Sequence, residues 1–364
     1  MWVLMMNCKL CRIFLLCVCV FLLFQGGHLF AGTTIIFDDT AGDATDINTS
    51  EAEEAFQELS DINGPIIANS FALSNILGYP IGKSSIGIFE AGVAVGAGLT
   101  NTVYYSDEED AKEGSLPGVT ANPVIHAGIT LPGGFDVIGK LFYLKNNRYI
   151  PDLESSLASL TDYNFLSVGG KLRWNYIEDA TVIPFLLSFG GLTFSIGADA
   201  MIGNIDISGN YKTELEPVTY TVGGSDYTVT SEFDGDYSSS IKWKMMSITA
   251  QAVTYIDIMY LFSFYTGFGL TGNLGFFSTE FDGTGIVSSD DPSLPGAPRT
   301  LGGITFESSN NYRPDYFLPT WIFGLELNLT VLKITGETMV NLRNGEDVTL
   351  QAGVRIQIKH TFPI

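Results

Sequence analysis

The sequence predicts an all-β protein: a transmembrane, antiparallel, up-and-down β-barrel of about ten strands (roughly 10–14), preceded by a short helical N-terminal segment. Three observations predict it. Alternating apolar and polar stretches recur from Ser85 to Phe362, their connections vary between long and short, and no later stretch is apolar enough for a transmembrane helix. The C-terminal stretch is the clearest. Val354, Ile356, Ile358 and Phe362 line one face, while Arg355, Gln357 and Lys359 line the other. A period of two with charge on one face alone describes a strand between two different solvents.

The first residues read as an export signal. Lys9 and Arg12 precede an apolar run from Ile13 to Phe24; Gly26 and Gly27 follow, and Ala31-Gly32 offers a cleavage point. On that reading residues 1–31 are removed and the destination is the bacterial outer membrane. Cys8, Cys11, Cys17 and Cys19 lie inside this segment, so the processed chain has no disulfide, thiolate metal site or cysteine nucleophile. An acylated cysteine would need a small residue before it, and Leu16 and Val18 are bulky. Losing Lys9 and Arg12 takes the 18 basic residues to 16 against 40 acidic ones, a net charge of −24. That balance argues against nucleic acid as a partner. Charged residues are only 16% of the chain and aromatics reach 12%, a charge-poor composition that suits burial of strand faces in lipid.

Residues 32–84 form a separate N-terminal segment, periplasmic or plugging. Ser50 and Glu53 make a capping box, and Ala52, Ala55, Phe56, Leu59 and Ile62 follow at helical spacing. A second apolar stretch, Ile66 to Tyr79, ends at Pro80. It either folds against the barrel mouth or enters the lumen.

The barrel occupies residues 85–364. Its first strand sends Phe89, Ala91, Val93, Val95, Ala97 and Leu99 one way and Glu90, Gly92, Ala94, Gly96 and Gly98 the other. Strands over 124–131 and 135–145 meet at Pro132-Gly133-Gly134, a tight turn. The fourth alternates Leu166, Val168, Leu172, Trp174 and Tyr176 with Lys171, Arg173 and Asn175; the fifth covers 194–202. An insertion over 208–240 has two halves around Gly223-Gly224 that suit a hairpin standing above the barrel. Strands over 241–254 and 261–279 follow, then a long loop from Asp282 to about Pro314. Strands over 321–329, 333–342 and 354–362 complete the set, the last two joined at Asn344-Gly345. In order, the connections are long, short, long, medium, long, short, long, short and an Asn-Gly turn. Outer-membrane barrels keep short turns at the periplasm and long loops outside, and this order fits that rule. Tyr104, Tyr105, Tyr143, Trp174, Tyr176, Trp243, Tyr260 and Trp321 near strand ends read as an interfacial girdle.

Strand parity sends Glu90, His126, Asp136, Lys140, Lys171, Arg173, Asp199, Glu326, Glu337, Arg355 and Lys359 inward. Either they form an ion-pair network that packs a narrow lumen, or they line a polar channel and set its selectivity. His126 with Asp136 is the best catalytic pair that can be constructed, and folding the hairpin about Gly133 puts His126 opposite Lys140 instead. No catalytic residue, cofactor or metal site is assigned. The acidic runs (Asp107, Glu108, Glu109 and Asp110; Asp290 and Asp291) read as solvated loop charge, without the ligand–Gly spacing of a calcium loop.

The stretches IHAGITLPGGFDV (125–137), NFLSVGGKLRW (164–174) and LQAGVRIQIK (350–359) carry a resemblance. The region from Ser85 to Phe362 resembles a poorly characterised family of bacterial outer-membrane barrels, distantly similar to FadL-type transporters of hydrophobic compounds. That resemblance implies uptake or permeation of small molecules, with outer-membrane lipid and the barrel assembly machinery as partners. The chain lacks the Asn-Pro-Ala signature of the FadL hatch and offers fewer strands than that family. Pro363 and Ile364 also follow Phe362, where an assembly signal ordinarily ends on the aromatic residue. The alternative is a surface-exposed structural or adhesive protein whose Tyr/Thr-rich insertion contacts an extracellular ligand.

Overall fold

Alternation closes into a ring. In the computed structural model the described residues are 33–38, 64–80, 89–105, 114–146, 159–183, 186–222, 225–259, 261–290, 292, 299–329, 331–343, 345 and 347–358. They form one helix, α1, over residues 64–75. The strands are β1 (Thr33–Asp38), β2 (Phe89–Tyr105), β3 (Gly114–Leu131), β4 (Phe135–Asn146), β5 (Ser159–Ile183) and β6 (Leu187–Val222), then β7 (Ser225–Ile258), β8 (Phe262–Ser289), β9 (Arg299–Tyr312), β10 (Phe317–Leu329), β11 (Leu332–Asn341) and β12 (Val348–Ile358). The ring runs β2-β3-β4-β5-β6-β7-β8-β10-β11-β12 and closes where β12 pairs antiparallel with β2, from Val348↔Leu99 to Ile358↔Phe89. That is a closed antiparallel barrel of ten strands, as the alternation predicts.

Length separates the ring from what rises above it. β11 has 10 residues and β12 has 11, close to the ~9–11 that cross a bilayer when tilted. β6 has 36 residues and β7 has 34, and β6 runs on past Ser208, its last partner on β5, so both strands continue beyond the ring. They stay paired to their tip, Val222↔Ser225. The insertion over 208–240 is thus the continuation of two barrel strands. The expected loop from Asp282 to Pro314 is also sheet: β8 runs on to Ser289, and β9 pairs with it from Phe277↔Tyr312 to Ser289↔Arg299. β8 divides its second edge, giving residues Phe262 to Gly272 to β10 and the upper part to β9. β1 pairs with the other edge of β9, which completes a raised sheet β6-β7-β8-β9-β1.

Four short connections share one rim, 132–134, 184–186, 259–261 and 330–331, while the two-residue connection between β6 and β7 stands at the far tip of the raised hairpin. The first depends on Gly133 and Gly134, whose φ values of 85° and 77° suit glycine. The connection between the expected fourth and fifth strands is shorter than expected, because β5 runs to Ile183 and β6 starts at Leu187. The export signal, the helix expected over 52–62, the acidic run 107–110, Tyr260, Asp291, Lys359 and Phe362 lie outside the described residues.

The two faces of the wall obey opposite rules. Val93, Ile125, Leu141, Phe268, Leu350, Ile356 and Ile358 are among the large apolar side chains at least half exposed on the outside. Their strand neighbours one position away, such as His126, Lys140, Thr349, Gln351 and Arg355, are buried inside. A soluble protein of this size would not expose so continuous an apolar belt.

Candidate functional site: the occupied lumen

The interior is occupied by the chain's own residues 64–80. Pro65 suits the first turn of α1, where a missing N–H costs nothing. Gly78, at φ 101°, turns the chain out of the helix, and Pro80 prevents its resumption. Ala68, Ala72 and Leu73 are wholly buried. Phe71 stacks on Trp243 at 4.7 Å and on Phe277 at 5.4 Å, within an apolar cluster that includes Phe165, Met201 and Met245. Lower down, Ile76 and Leu77 pack with Val253, Tyr255, Tyr265, Ile322 and Met339.

Trp243 is the one described girdle candidate that points inward. Tyr143, Trp174, Tyr176 and Trp321 are exposed on the outer face, as expected, but Trp243 is buried. It pairs with Gly203, where an added Cβ would fall 2.3 Å from the indole ring. The missing side chain makes room for the ring, which then meets the helix. Gly98 does the same for the helix backbone: an added Cβ would lie 2.3 Å from the Ser70 carbonyl oxygen.

Hydrogen bonds tie this segment to strands all around the ring. Ser70 Oγ donates to the Gly98 carbonyl of β2 at 2.9 Å and lies 2.7 Å from Thr120 Oγ1 of β3. Asn122 of β3 donates to the Ser74 carbonyl at 2.9 Å. Asn75 donates to Ser247 Oγ of β7 at 2.9 Å. Lys140 of β4 donates to the carbonyls of Asn75 and Leu77. Gln351 of β12 accepts from Gly78 N and donates to the Tyr79 carbonyl. Arg173 of β5 reaches the Pro80 carbonyl at 3.2 Å, and Tyr79 donates its hydroxyl to Asp199 of β6 at 2.8 Å. Only a segment enclosed by the ring can reach all of these strands.

Charge concentrates beside and below residues 75–80. Glu90, His126, Lys140, Lys171, Arg173, Asp199, Glu326, Glu337 and Arg355 are all buried, as are Asp136 and Lys333. Lys140 meets Asp199 at 2.9 Å, Arg173 meets Asp136 at 3.2 Å, and Lys333 meets Glu326 at 2.9 Å. Arg355 bridges Glu90 and Glu326. Gln351 donates to Glu337 at 2.9 Å, and Lys171 donates to Gln251 at 3.0 Å. Lys140 and Lys171 each stand 4.8 Å from the centre of the Tyr79 ring, a geometry for cation–π attraction. Beside and below residues 75–80, five cations (Lys140, Lys171, Arg173, Lys333, Arg355) thus face five carboxylates (Glu90, Asp136, Asp199, Glu326, Glu337), while two further buried carboxylates, Asp257 and Asp347, accept hydrogen bonds from Ser263 and Asn341. Balanced, paired charge can remain ionised in an interior where a lone charge could not.

His126 stands opposite Lys140 in the register, as the hairpin requires. Neither ring nitrogen has a hydrogen-bond partner among the described residues. Asp136 is engaged by Arg173 and by Thr130 at 2.9 Å. The two therefore do not form a histidine–carboxylate couple. Sequence reasoning missed Lys333, Tyr79 and Gln351. Lys333 was readable from strand parity; the roles of Tyr79 and Gln351 depend on where the N-terminal segment lies.

A family model described as Lsa36-like matches residues 31–358. No curated protein matches. Among solved structures, the transport unit of the autotransporter AIDA-I from Escherichia coli is similar over 81% of this chain and 99% of its own, at 11% identity and a TM-score of 0.33. A Pseudomonas aeruginosa FadL homologue is similar over 81% and 98%, at 10% identity and a TM-score of 0.25. The outer membrane protease OmpT from Escherichia coli is similar over 76% and 99%, at 11% identity and a TM-score of 0.28.

Proposed function

This chain belongs to the Lsa36-like family, and we propose that it is an integral outer-membrane barrel, closed by its own residues 64–80, whose work is done by the sheet it raises outside the cell. The observation that carries this reading is the occupied lumen. Apolar side chains fill its upper part and paired charges its lower part, with the segment hydrogen-bonded to the wall between them. The apolar exterior supports lipid as its direct partner, since a basic residue on that face would cost ~2–4 kcal/mol at the midplane. Delivery by the barrel assembly machinery belongs to the same proposal. So does the orientation, with long connections outside. No catalytic step is part of it.

Uptake of small molecules, which the FadL resemblance implies, would require residues 64–80 to move out of the way. The experiment is reconstitution of the full chain in liposomes and planar bilayers. Barrels that assemble but pass neither ions nor small sugars support the closed reading. Discrete conductance, or solute-dependent swelling, would return the transport reading. Deleting Asn210–Asp236 from the raised sheet is expected to leave heat-resistant, membrane-inserted barrels while removing any extracellular binding.

A further inference from the structure

Residues 70–80 do more than occupy the lumen: they descend it in one direction. On β2 the helix first meets Gly98 through Ser70, and Gly96 lies beside Leu77. On β3, which runs toward the tight-turn rim, the successive neighbours are Thr120 for Ser70, Asn122 for Ser74 and Val124 for Gly78. On β6, which runs the opposite way, Met201 meets Ser74 and Asp199 then meets Tyr79. On β5, Gly169 lies by Tyr79 and Arg173 reaches Pro80. These four wall strands report the same descent, and β2 then begins at Phe89, paired with Ile358 and Ile129 near the tight-turn rim.

The start of the described chain lies at the other end. β1 pairs with β9 from Thr33↔Ser308 to Asp38↔Gly303. Those β9 residues pair in turn with Phe281 and Ile286 of β8, beyond Gly272, where β10 leaves the ring at Phe317. β1 therefore belongs to the raised sheet, on the side of the long connections. There it covers the edge of β9, which would otherwise carry a row of unpaired N–H and C=O groups.

We infer that the chain passes once through its own barrel, from the outer face to the periplasmic rim, so that β1 is displayed on the cell surface. This rests on the outer-membrane reading and its orientation above. It is the opposite of a periplasmic N-terminal segment, and it makes the N-terminal strand an outward-facing part of the molecule. The ring is then closed around a strap of its own chain whose two ends lie on opposite sides of the membrane.

The test is thiol labelling of intact cells with a membrane-impermeant maleimide, using the full chain and the wild type as blank. Three single variants are compared: T33C in β1, G224C at the tip between β6 and β7, and P132C in a tight turn. An epitope inserted between Gly32 and Thr33, probed with antibody, covers the case in which strand pairing shields T33C. The expected result is that T33C (or the epitope) and G224C react equally before and after permeabilisation, while P132C reacts only afterwards. If G224C reacts on intact cells but T33C and the epitope need permeabilisation, the threading is overturned and the membrane reading stands. If P132C reacts on intact cells and G224C does not, the orientation fails, and this inference with it.

Discussion

The lumen and the raised sheet use the same kinds of ion pair for opposite purposes. Lys140 and Asp199 meet at 2.9 Å with side chains 0% and 2% exposed, whereas Lys242 and Glu280 meet at 2.6 Å with side chains 45% and 44% exposed. Distance alone would rank the outer pair higher. Solvent reverses that ranking. Water already satisfies the outer charges, so their pairing adds little; the inner charges have given up water and depend on each other. Lys212–Glu232 repeats the outer situation at 2.7 Å with both side chains well exposed. Two of the inner pairs, Lys140–Asp199 and Arg173–Asp136, also touch the strap, so they help decide where residues 75–80 sit. The outer pairs decorate a sheet whose order comes from its strand ladders and from aromatic contacts such as Tyr237–Phe281 and Phe281–Phe306, at 5.8 Å and 5.0 Å.

Replacing Asp199 should break this comparison most severely. Asp199→Ala leaves Lys140 buried without its carboxylate and takes the acceptor from Tyr79. The expected loss is about 3–5 kcal/mol in denaturant unfolding of the refolded barrel. A loss no larger than that of an exposed pair would mean that water reaches Lys140. Next comes the outside of the wall. Leu350→Arg puts a charge on the lipid face, with an expected cost of about 2–4 kcal/mol near the midplane, read as the folded fraction in vesicles. An unchanged folded fraction would mean that Leu350 does not face lipid. The smallest effect is Lys242→Ala, expected to cost roughly 0.2–1 kcal/mol and to fade with added salt.

The ring itself was legible because each strand separates two solvents. That contrast fixes parity, and parity alone identified Glu90, Lys140, Arg173 and Arg355 as inward residues. Parity does not fix height along the barrel. Which carboxylate meets which cation depends on the stagger between strands, so Lys140–Asp199, 59 residues apart, could not be read from either strand. β9 was missed for a related reason. Its sequence RTLGGITFESSNNY lies beyond the ring, so no lipid imposes an apolar face on it. Trp243 was misassigned because aromatic enrichment near strand ends suits an interfacial girdle and a buried stack equally well; Gly203 directly opposite decides between them. The stretch Ile66 to Tyr79 read as apolar enough to be buried, but no local signal says what buries it. The glycines at 96 and 98 were the available hint, since a strand without side chains there invites close approach.

The central claim is that residues 64–80 lie inside the ring, and one pair tests it directly. Ser70 and Thr120 have hydroxyl oxygens 2.7 Å apart, one on the helix and one on the wall. In the double variant S70C and T120C, oxidation of the assembled, membrane-inserted protein should join helix and wall, giving a mobility shift that reducing agent reverses. If both thiols instead stay free and react readily with maleimide while the barrel is fully assembled, the segment is outside the lumen and the account is wrong.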